Sequence, residues 1–308
     1  MTNIPKQDIL SPSMVKERQT QLGLLEPRTA RPFKSQLLKW IGNKQRVATV
    51  LAAHFPDSFG TYFEPFVGSG GVLATLAPRQ GFASDAFRPL VEIWQTLKRD
   101  PETLKRWYAE RWERMADGGK VRVFEEIKSS YNRNPNGADL LFLCRACYGG
   151  VVRFRKADGF MSTPCGVHDP ISPESFGERV DEWSYRMIGT EFALMGYEQA
   201  LDRAVDGDFV YCDPPYSHSQ GILYGAQAFS LEDLFDRVGH CKARGVRVAI
   251  SIDGTKKSGA VRCNLPIPEG LFEREVFIEC GRSMLKRFQM DGESLEAECV
   301  SDRLLMTY

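Results

Sequence analysis

The stretch from Thr61 to Asp85 constrains the fold more than any other. Thr61-Tyr62-Phe63-Glu64 is a short apolar strand, Pro65-Phe66-Val67-Gly68-Ser69-Gly70-Gly71 a glycine-rich turn, and Val72-Leu73-Ala74-Thr75-Leu76-Ala77 the start of a helix. Gly81-Phe82-Ala83-Ser84-Asp85 then reads as a second strand that ends on an acid. This order is the opening unit of an open α/β sheet, and its turn is where the polar part of a cofactor meets backbone N–H groups. Glycines suit that turn because they tolerate positive φ and let the main chain approach a ligand closely. An acid closing the second strand typically accepts hydrogen bonds from ribose hydroxyls. A nicotinamide cofactor stays open on this pattern, but the full GxGxxG spacing is absent and no P-loop lysine follows the turn.

A second segment carries the chemistry. The apolar run Phe209-Val210-Tyr211-Cys212 ends on Asp213-Pro214-Pro215-Tyr216. Asp213 offers a carboxylate, and Pro214, lacking an N–H, leaves a carbonyl free to face a ligand. Tyr216 offers a flat ring for stacking on a heteroaromatic base. Two acceptors beside a stacking ring suit an exocyclic amine, which points to methylation of an amino group on a nucleobase. On the tetrapeptide alone, a Pro-Pro loop that merely closes a strand is an equal reading.

Upstream, Leu38-Lys39-Trp40-Ile41-Gly42-Asn43-Lys44 reads as the opening of an amphipathic helix that continues through Val47, Val50, Leu51 and Phe55. Together the three motifs resemble the Dam-type, α-group DNA adenine-N6 methyltransferases over about residues 34 to 308. The resemblance implies a class I methyltransferase fold: a doubly wound, mostly parallel α/β sheet with a C-terminal antiparallel hairpin and a helical DNA-recognition insert. It implies S-adenosyl-L-methionine as cofactor, with Trp40, Gly42 and Lys44 at its methionine end. By the same resemblance Glu64, Phe66, Gly68 and Gly70 form the cofactor loop, Asp85 takes the ribose, and Asp213, Pro214, Pro215 and Tyr216 form the catalytic motif, with Asp213 also close to the cofactor. Cytosine-N4 methylation uses the same amine geometry and is the nearest alternative. The acid at Asp213 favours adenine, because the cytosine enzymes tend to carry serine there. A catalytically silent DNA-binding module is the alternative outside the enzyme class.

Patterning marks a polar arm over 1–33 and a helical middle, and the resemblance implies a catalytic domain over 34–99 and 190–308 with a helical target-recognition insert over 100–189. From about Arg88 to Arg186 the chain reads as mostly helical: Leu90, Val91, Ile93, Trp94 and Leu97, then Leu104, Trp107 and Tyr108, then Val123, Phe124 and Ile127 recur at helical spacing and read as core, as does Trp112. Ser230 and Asp233 form the start signal of a later helix. Further strands are expected at 192–195, 209–212, 246–252, 272–278 and 303–307.

The loop Cys147-Tyr148-Gly149-Gly150-Val151-Val152-Arg153-Phe154-Arg155-Lys156 interleaves basic and aromatic residues as a nucleic-acid contact would. By resemblance Tyr148, Val151 and Arg153 contact bases, while Arg155 and Lys156 suit phosphates. Gly149 stands where the family has a polar residue, so the family's GATC target is not carried over.

The 40 basic and 40 acidic residues cancel, so only their distribution speaks for duplex DNA as partner. Basic side chains cluster at Arg145, Arg153, Arg155 and Lys156, at Lys242, Arg244, Arg247, Lys256, Lys257 and Arg262, and at Arg282, Lys286 and Arg287. Cys144 and Cys147, a lone CxxC pair in an apolar stretch, read as buried free thiols rather than metal ligands. The N-terminus has no apolar leader and no run long enough to span a membrane occurs, so a cytoplasmic protein of a prokaryote or phage is expected, and no metal. A cognate restriction endonuclease is the one protein partner that the resemblance suggests.

Overall fold

A computed structural model describes residues 33–155, 157–215, 229–256, 261–263, 265–282 and 299–308. Eight strands form one sheet: β1 (Tyr62–Glu64), β2 (Gly81–Asp85), β3 (Thr190–Leu194), β4 (Phe209–Cys212), β5 (Arg247–Lys256), β6 (Val261–Arg262), β7 (Arg274–Arg282) and β8 (Cys299–Met306). Their order is β3-β2-β1-β4-β5-β8-β7, with β6 pairing β5 alone. The first five strands in that order run parallel, while β8 is antiparallel to both β5 and β7. The expected doubly wound sheet with an antiparallel C-terminal pair is therefore present. Strand order reverses between β1 and β4, and open α/β sheets bind ligands in the crevice at such a point, outside the carboxyl ends of the strands.

Alternation along each strand divides the core between the two faces. Tyr62, Phe209, Tyr211, Ala249, Leu304 and Met306 pack on one face, with Phe63, Val210, Cys212, Val248, Ile250 and Leu305 on the other. The described α-helices are α1 (Ala48–Ala52), α2 (Gly71–Leu76), α3 (Arg88–Arg99), α4 (Pro101–Gly118), α5 (Lys120–Arg133), α6 (Gly137–Ala146), α7 (Pro173–Arg186), α8 (Tyr197–Arg203) and α9 (Leu231–Ala243), and Tyr148–Gly150 adds one 3-10 turn. Three of those between β2 and β3, α4, α6 and α7, begin on side-chain caps that the sequence supplies: Asp100 accepts from Thr103 N–H, Asn136 from Asp139 N–H and Ser172 from Ser175 N–H. Ser230 likewise accepts from Asp233 N–H at the start of α9. Trp94 and Trp183 stack with centroids 5.6 Å apart and are fully buried, joining α3 to α7. Burying a ring of that size contributes about 4 kcal/mol by area. Trp107 and Trp112 pack against the same core.

The helices between β2 and β3 also fix the chain entering the site. Buried Arg145 on α6 donates to the carbonyls of Gln36 and Leu37 at 2.8 Å, Arg179 to Gln36 at 3.0 Å, and the Trp183 indole N–H to Ser35 at 2.9 Å. Arg145 is thus a structural anchor rather than a DNA-facing charge. The long helix expected from Leu38 is absent, since only Ala48–Ala52 is helical. Gly42 takes φ 76°, and the Asn43 side chain accepts the N–H of Gln45 at 2.8 Å, so a turn replaces the first helical turns.

Candidate active site

One cavity of about 630 Å³ opens at the reversal point, within the range of ligand sites. Of the residues singled out from the sequence, Trp40, Gly42, Lys44, Glu64, Phe66, Gly68, Asp85, Asp213 and Pro215 line it. Gly70 and Pro214 do not. Gly70 serves the turn itself: its φ is 64°, and a Cβ there would stand 3.2 Å from the Trp94 ring. Tyr216 and Lys156, with Lys257, Lys286 and Arg287 from the basic clusters and the arm over 1–32, lie outside the described residues.

The glycine turn is tied down by its neighbours. Val67 N–H donates to the Ser84 carbonyl at 3.0 Å, and the Trp94 indole N–H donates to the Gly68 carbonyl at 3.0 Å. Gly71 opens α2 against the 43–45 turn, where a Cβ would lie 2.9 Å from the Gln45 nitrogen; no other residue fits without moving that turn. Asp85 closes β2 beneath this loop, accepting from Gly68 N–H at 3.2 Å and Phe87 N–H at 3.0 Å. Burial raises its pKa to about 6, against the pull of those donors.

On the other flank, Lys44 Nζ lies 2.8 Å from Asp213 Oδ1, with the lysine 8% and the acid 18% exposed. Burial works to lower the Lys44 pKa, but the Asp213 and Asp302 carboxylates outweigh it and hold the ammonium charged. Glu64, ending β1, accepts a hydrogen bond from the Tyr62 hydroxyl at 2.6 Å. Burial, aided by the nearby Asp213 charge, pushes its pKa up to about 8, so near neutrality it is mostly a neutral acid. Ionising it therefore costs stability: the cost is absent below the usual 4.5, grows as pH rises and is complete above about 8. Glu64→Gln, which copies the neutral form, should melt higher than the parent above that pH and within a few degrees of it near pH ~5. Equal melting-temperature differences at both pH values would contradict this.

Sequence reasoning passed over several walls of the cavity. Phe66 stacks on Tyr197 with centroids 5.2 Å apart, and Phe229 meets Phe66 edge-on at 5.8 Å. Tyr197 and Glu198 follow the carboxyl end of β3, where the crevice rule directs attention once β3 is recognised. Tyr131, Asn132, Phe154, Asp158 and Phe160 close the cavity from the segment between β2 and β3.

The basic loop is a short hairpin in which Phe154 pairs with Met161, both buried. Tyr148 is 44% exposed and Arg153 is also exposed, as a DNA contact requires. Val151 is only 1% exposed, so its side chain packs inward rather than reaching a base. Arg155 is bound within the hairpin: it pairs with Asp158 through two hydrogen bonds of 3.1 and 2.6 Å and lies 4.3 Å over the Phe160 ring. Its charge is neutralised locally, which weakens it as a phosphate contact. The expected cluster at Lys242, Arg244 and Arg247 also falls elsewhere. Arg247 pairs in register with Phe209, at the amino end of β4 opposite Asp213, and Arg244 donates to the Leu201 carbonyl at 2.9 Å. Cys144 and Cys147 are buried free thiols with pKa raised to about 12 by burial. Among the described residues, no group of His, Cys, Asp and Glu could hold a metal, and no helix is long and apolar enough to cross a membrane.

The sequence is similar to known proteins across this region. It is 27% identical over 246 residues to the Type II methyltransferase M1.LlaDCHI of Lactococcus lactis subsp. cremoris, covering 72% of this chain and 80% of that protein. It is also 27% identical over 231 residues to the DNA adenine methylase of Vibrio cholerae serotype O1, covering 70% of this chain and 79% of the relative. The DNA N-6-adenine-methyltransferase of Escherichia phage P1 is 24% identical over 239 residues, covering 74% of this chain and 31% of the phage protein. These relatives favour adenine over the cytosine-N4 alternative. The model of the D12 class matches residues 40–258, spanning Trp40, the glycine turn and Asp213. The chain belongs to the D12 class of N6 adenine-specific DNA methyltransferases.

Proposed function

We propose that this methyltransferase uses S-adenosylmethionine and acts on an adenine extruded from duplex DNA, with Asp213 as the catalytic carboxylate. The observation that carries this reading is the single cavity joining Trp40, Lys44, the 64–68 loop and Asp85 to Asp213. The donor set fits the cofactor. Asp85 suits ribose hydroxyls, the Phe66–Tyr197–Phe229 wall suits an adenine ring, and the Lys44–Asp213 end suits an amino-acid moiety. When bound, S-adenosylmethionine supplies an electrophilic methyl group. A paired adenine hides its amine in the duplex, so the base must leave the stack to reach the cavity.

Asp213, which lines the cavity, would then accept one amine hydrogen and turn the nitrogen lone pair toward the methyl group; the Pro214 carbonyl is the second acceptor by its place in the motif, although Pro214 does not itself line the cavity. Lys44, held on Asp213 Oδ1, fixes that carboxylate's orientation, and the shed proton has Asp213 as its first acceptor. Tyr216 would stack on the base, as its place in the motif implies. Trp40, Gly42, Glu64, Phe66 and Gly68 form the cofactor's walls, and Gly70 acts through the turn. The segment over 100–189 is the DNA-recognition insert, with Tyr148 and Arg153 as its contacts, Val151 as packing beneath them, and Lys156 on phosphate. A cognate endonuclease is an extension resting on the Type II name of one relative.

Binding calorimetry with S-adenosylmethionine tests the cofactor reading: micromolar binding that competes with the thioether product is expected, and no binding would sink it. Specificity has its own test. Arg153→Ala should relax the target at one base position by about 1–3 kcal/mol, whereas Lys156→Ala should weaken binding to all duplexes. Methylation of duplexes altered one position at a time separates them. A uniform loss with Arg153→Ala would make it a positioning residue instead.

A further inference from the structure

Lys44 does not meet Asp213 alone. Its Nζ also lies 3.4 Å from Asp302 Oδ2, and it donates to the Gly42 carbonyl at 3.3 Å. Lys44 and Asp213 line the cavity, whereas Asp302 stands behind them on β8. The sheet is deformed on both sides of this residue. β5 bulges between Asp253 and Thr255, where Asp253 opposes Asp302, and β7 bulges between Glu279 and Gly281 close by. Gly254 permits the first bulge, since a Cβ there would stand 2.9 Å from the Asp302 carbonyl carbon. Bulges of this kind re-aim side chains at functional sites. The Cys280 thiol is hydrogen-bonded to Asp302; burial and that carboxylate push its pKa to about 12, so it stays a neutral donor.

Nothing in the packing requires an acid here. Leu304 and Met306, two and four positions on along the same strand, fill the same face with apolar side chains. The consequence of the acid is electrostatic. One ammonium faces two carboxylates, so the trio carries an excess negative charge in a site shielded from water, and Glu64, mostly neutral, adds none. Without Asp302, Lys44 and Asp213 would be a neutral pair.

We propose that Asp302, acting through Lys44, gives the Lys44–Asp213 end of the cavity the excess negative charge by which that end favours a cationic sulfonium ligand over the neutral thioether left once the methyl group has gone. This rests on the S-adenosylmethionine reading above. The two ligands share every other group, so a neutral Lys44–Asp213 pair could hold both but could not separate them by charge. Asp302 does not line the cavity and acts through Lys44, so it is a positioning residue.

The test is calorimetry of the full chain with S-adenosylmethionine and with S-adenosylhomocysteine, for the parent, Asp302→Asn and Asp302→Glu. Asp302→Asn should lower the ratio of the two affinities by about tenfold, almost wholly through weaker binding of the sulfonium ligand. Asp302→Glu keeps the charge and should keep the parent's ratio. The proposal is overturned if folded Asp302→Asn leaves the ratio unchanged, loses both ligands equally, or shifts no further than Asp302→Glu. Asp302→Ser is the second neutral variant should the asparagine protein not fold, and the same criteria apply. A parent that binds neither ligand would remove the cofactor reading itself, an outcome distinct from an unchanged ratio.

Discussion

Asp213→Ala should reduce methyl transfer by about a thousandfold, the scale seen when a group acting on the developing charge of a reaction is removed. The fold should survive, because Lys44 keeps Asp302 and the Gly42 carbonyl as partners and no buried charge is left alone. Turnover should therefore collapse while the melting temperature moves by only a few degrees. The measurement is single-turnover transfer of labelled methyl to duplex DNA at saturating cofactor, alongside a thermal melt. A folded Asp213→Ala protein that retains more than about a tenth of the parent rate would show that the amine is activated elsewhere.

Asp85→Ala should weaken S-adenosylmethionine binding by tens of fold, from two causes. Hydrogen bonds from ribose hydroxyls to a carboxylate contribute about 1.5–3 kcal/mol each when shielded. The same carboxylate also holds the N–H groups of Gly68 and Phe87, so its loss loosens the loop that shapes the cavity. Because burial raises Asp85 to about 6, the charged form it needs is lost on acidification, and cofactor affinity of the parent should fall as pH drops through that value. Asp85→Asn, which cannot titrate, should lose this dependence. Calorimetry across that range gives the answer, and an Asp85→Ala protein with parent affinity would take Asp85 out of the site.

The fold was legible because its signals are local. The 61–85 unit and the strand ending at Cys212 carry their own apolar runs, glycines and terminal acids, and their order prescribes a parallel sheet. The segment 38–47 misled for an equally local reason: its apolar spacing suits a helix, but the left-handed Gly42 and the Asn43 turn stop one from forming. Side-chain environment was harder to read. Val151 and Arg155 sit in a sequence that suggests a surface loop, yet one packs inward and the other is bound by Asp158, and neither fate is written in the hairpin's composition. Likewise Arg244 and Arg247 lie close in sequence to strand β5 but at its amino end, far along the strand from the site, and only the register with β4 reveals this. Asp302 was passed over because it is distant in the chain from Lys44 and Asp213 and meets Lys44 only once β8 inserts beside β5. One signal was available, an acid within a strand that continues as Leu304-Leu305-Met306.

The most direct measurement is base-resolved sequencing of DNA from a host that lacks adenine methylation and expresses either this protein or its Asp213→Ala variant. N6-methyladenine at one recurrent motif with the parent, and none with the variant, is the predicted result. N4-methylcytosine with the parent, or N6-methyladenine that persists at the same motif with Asp213→Ala, would contradict it.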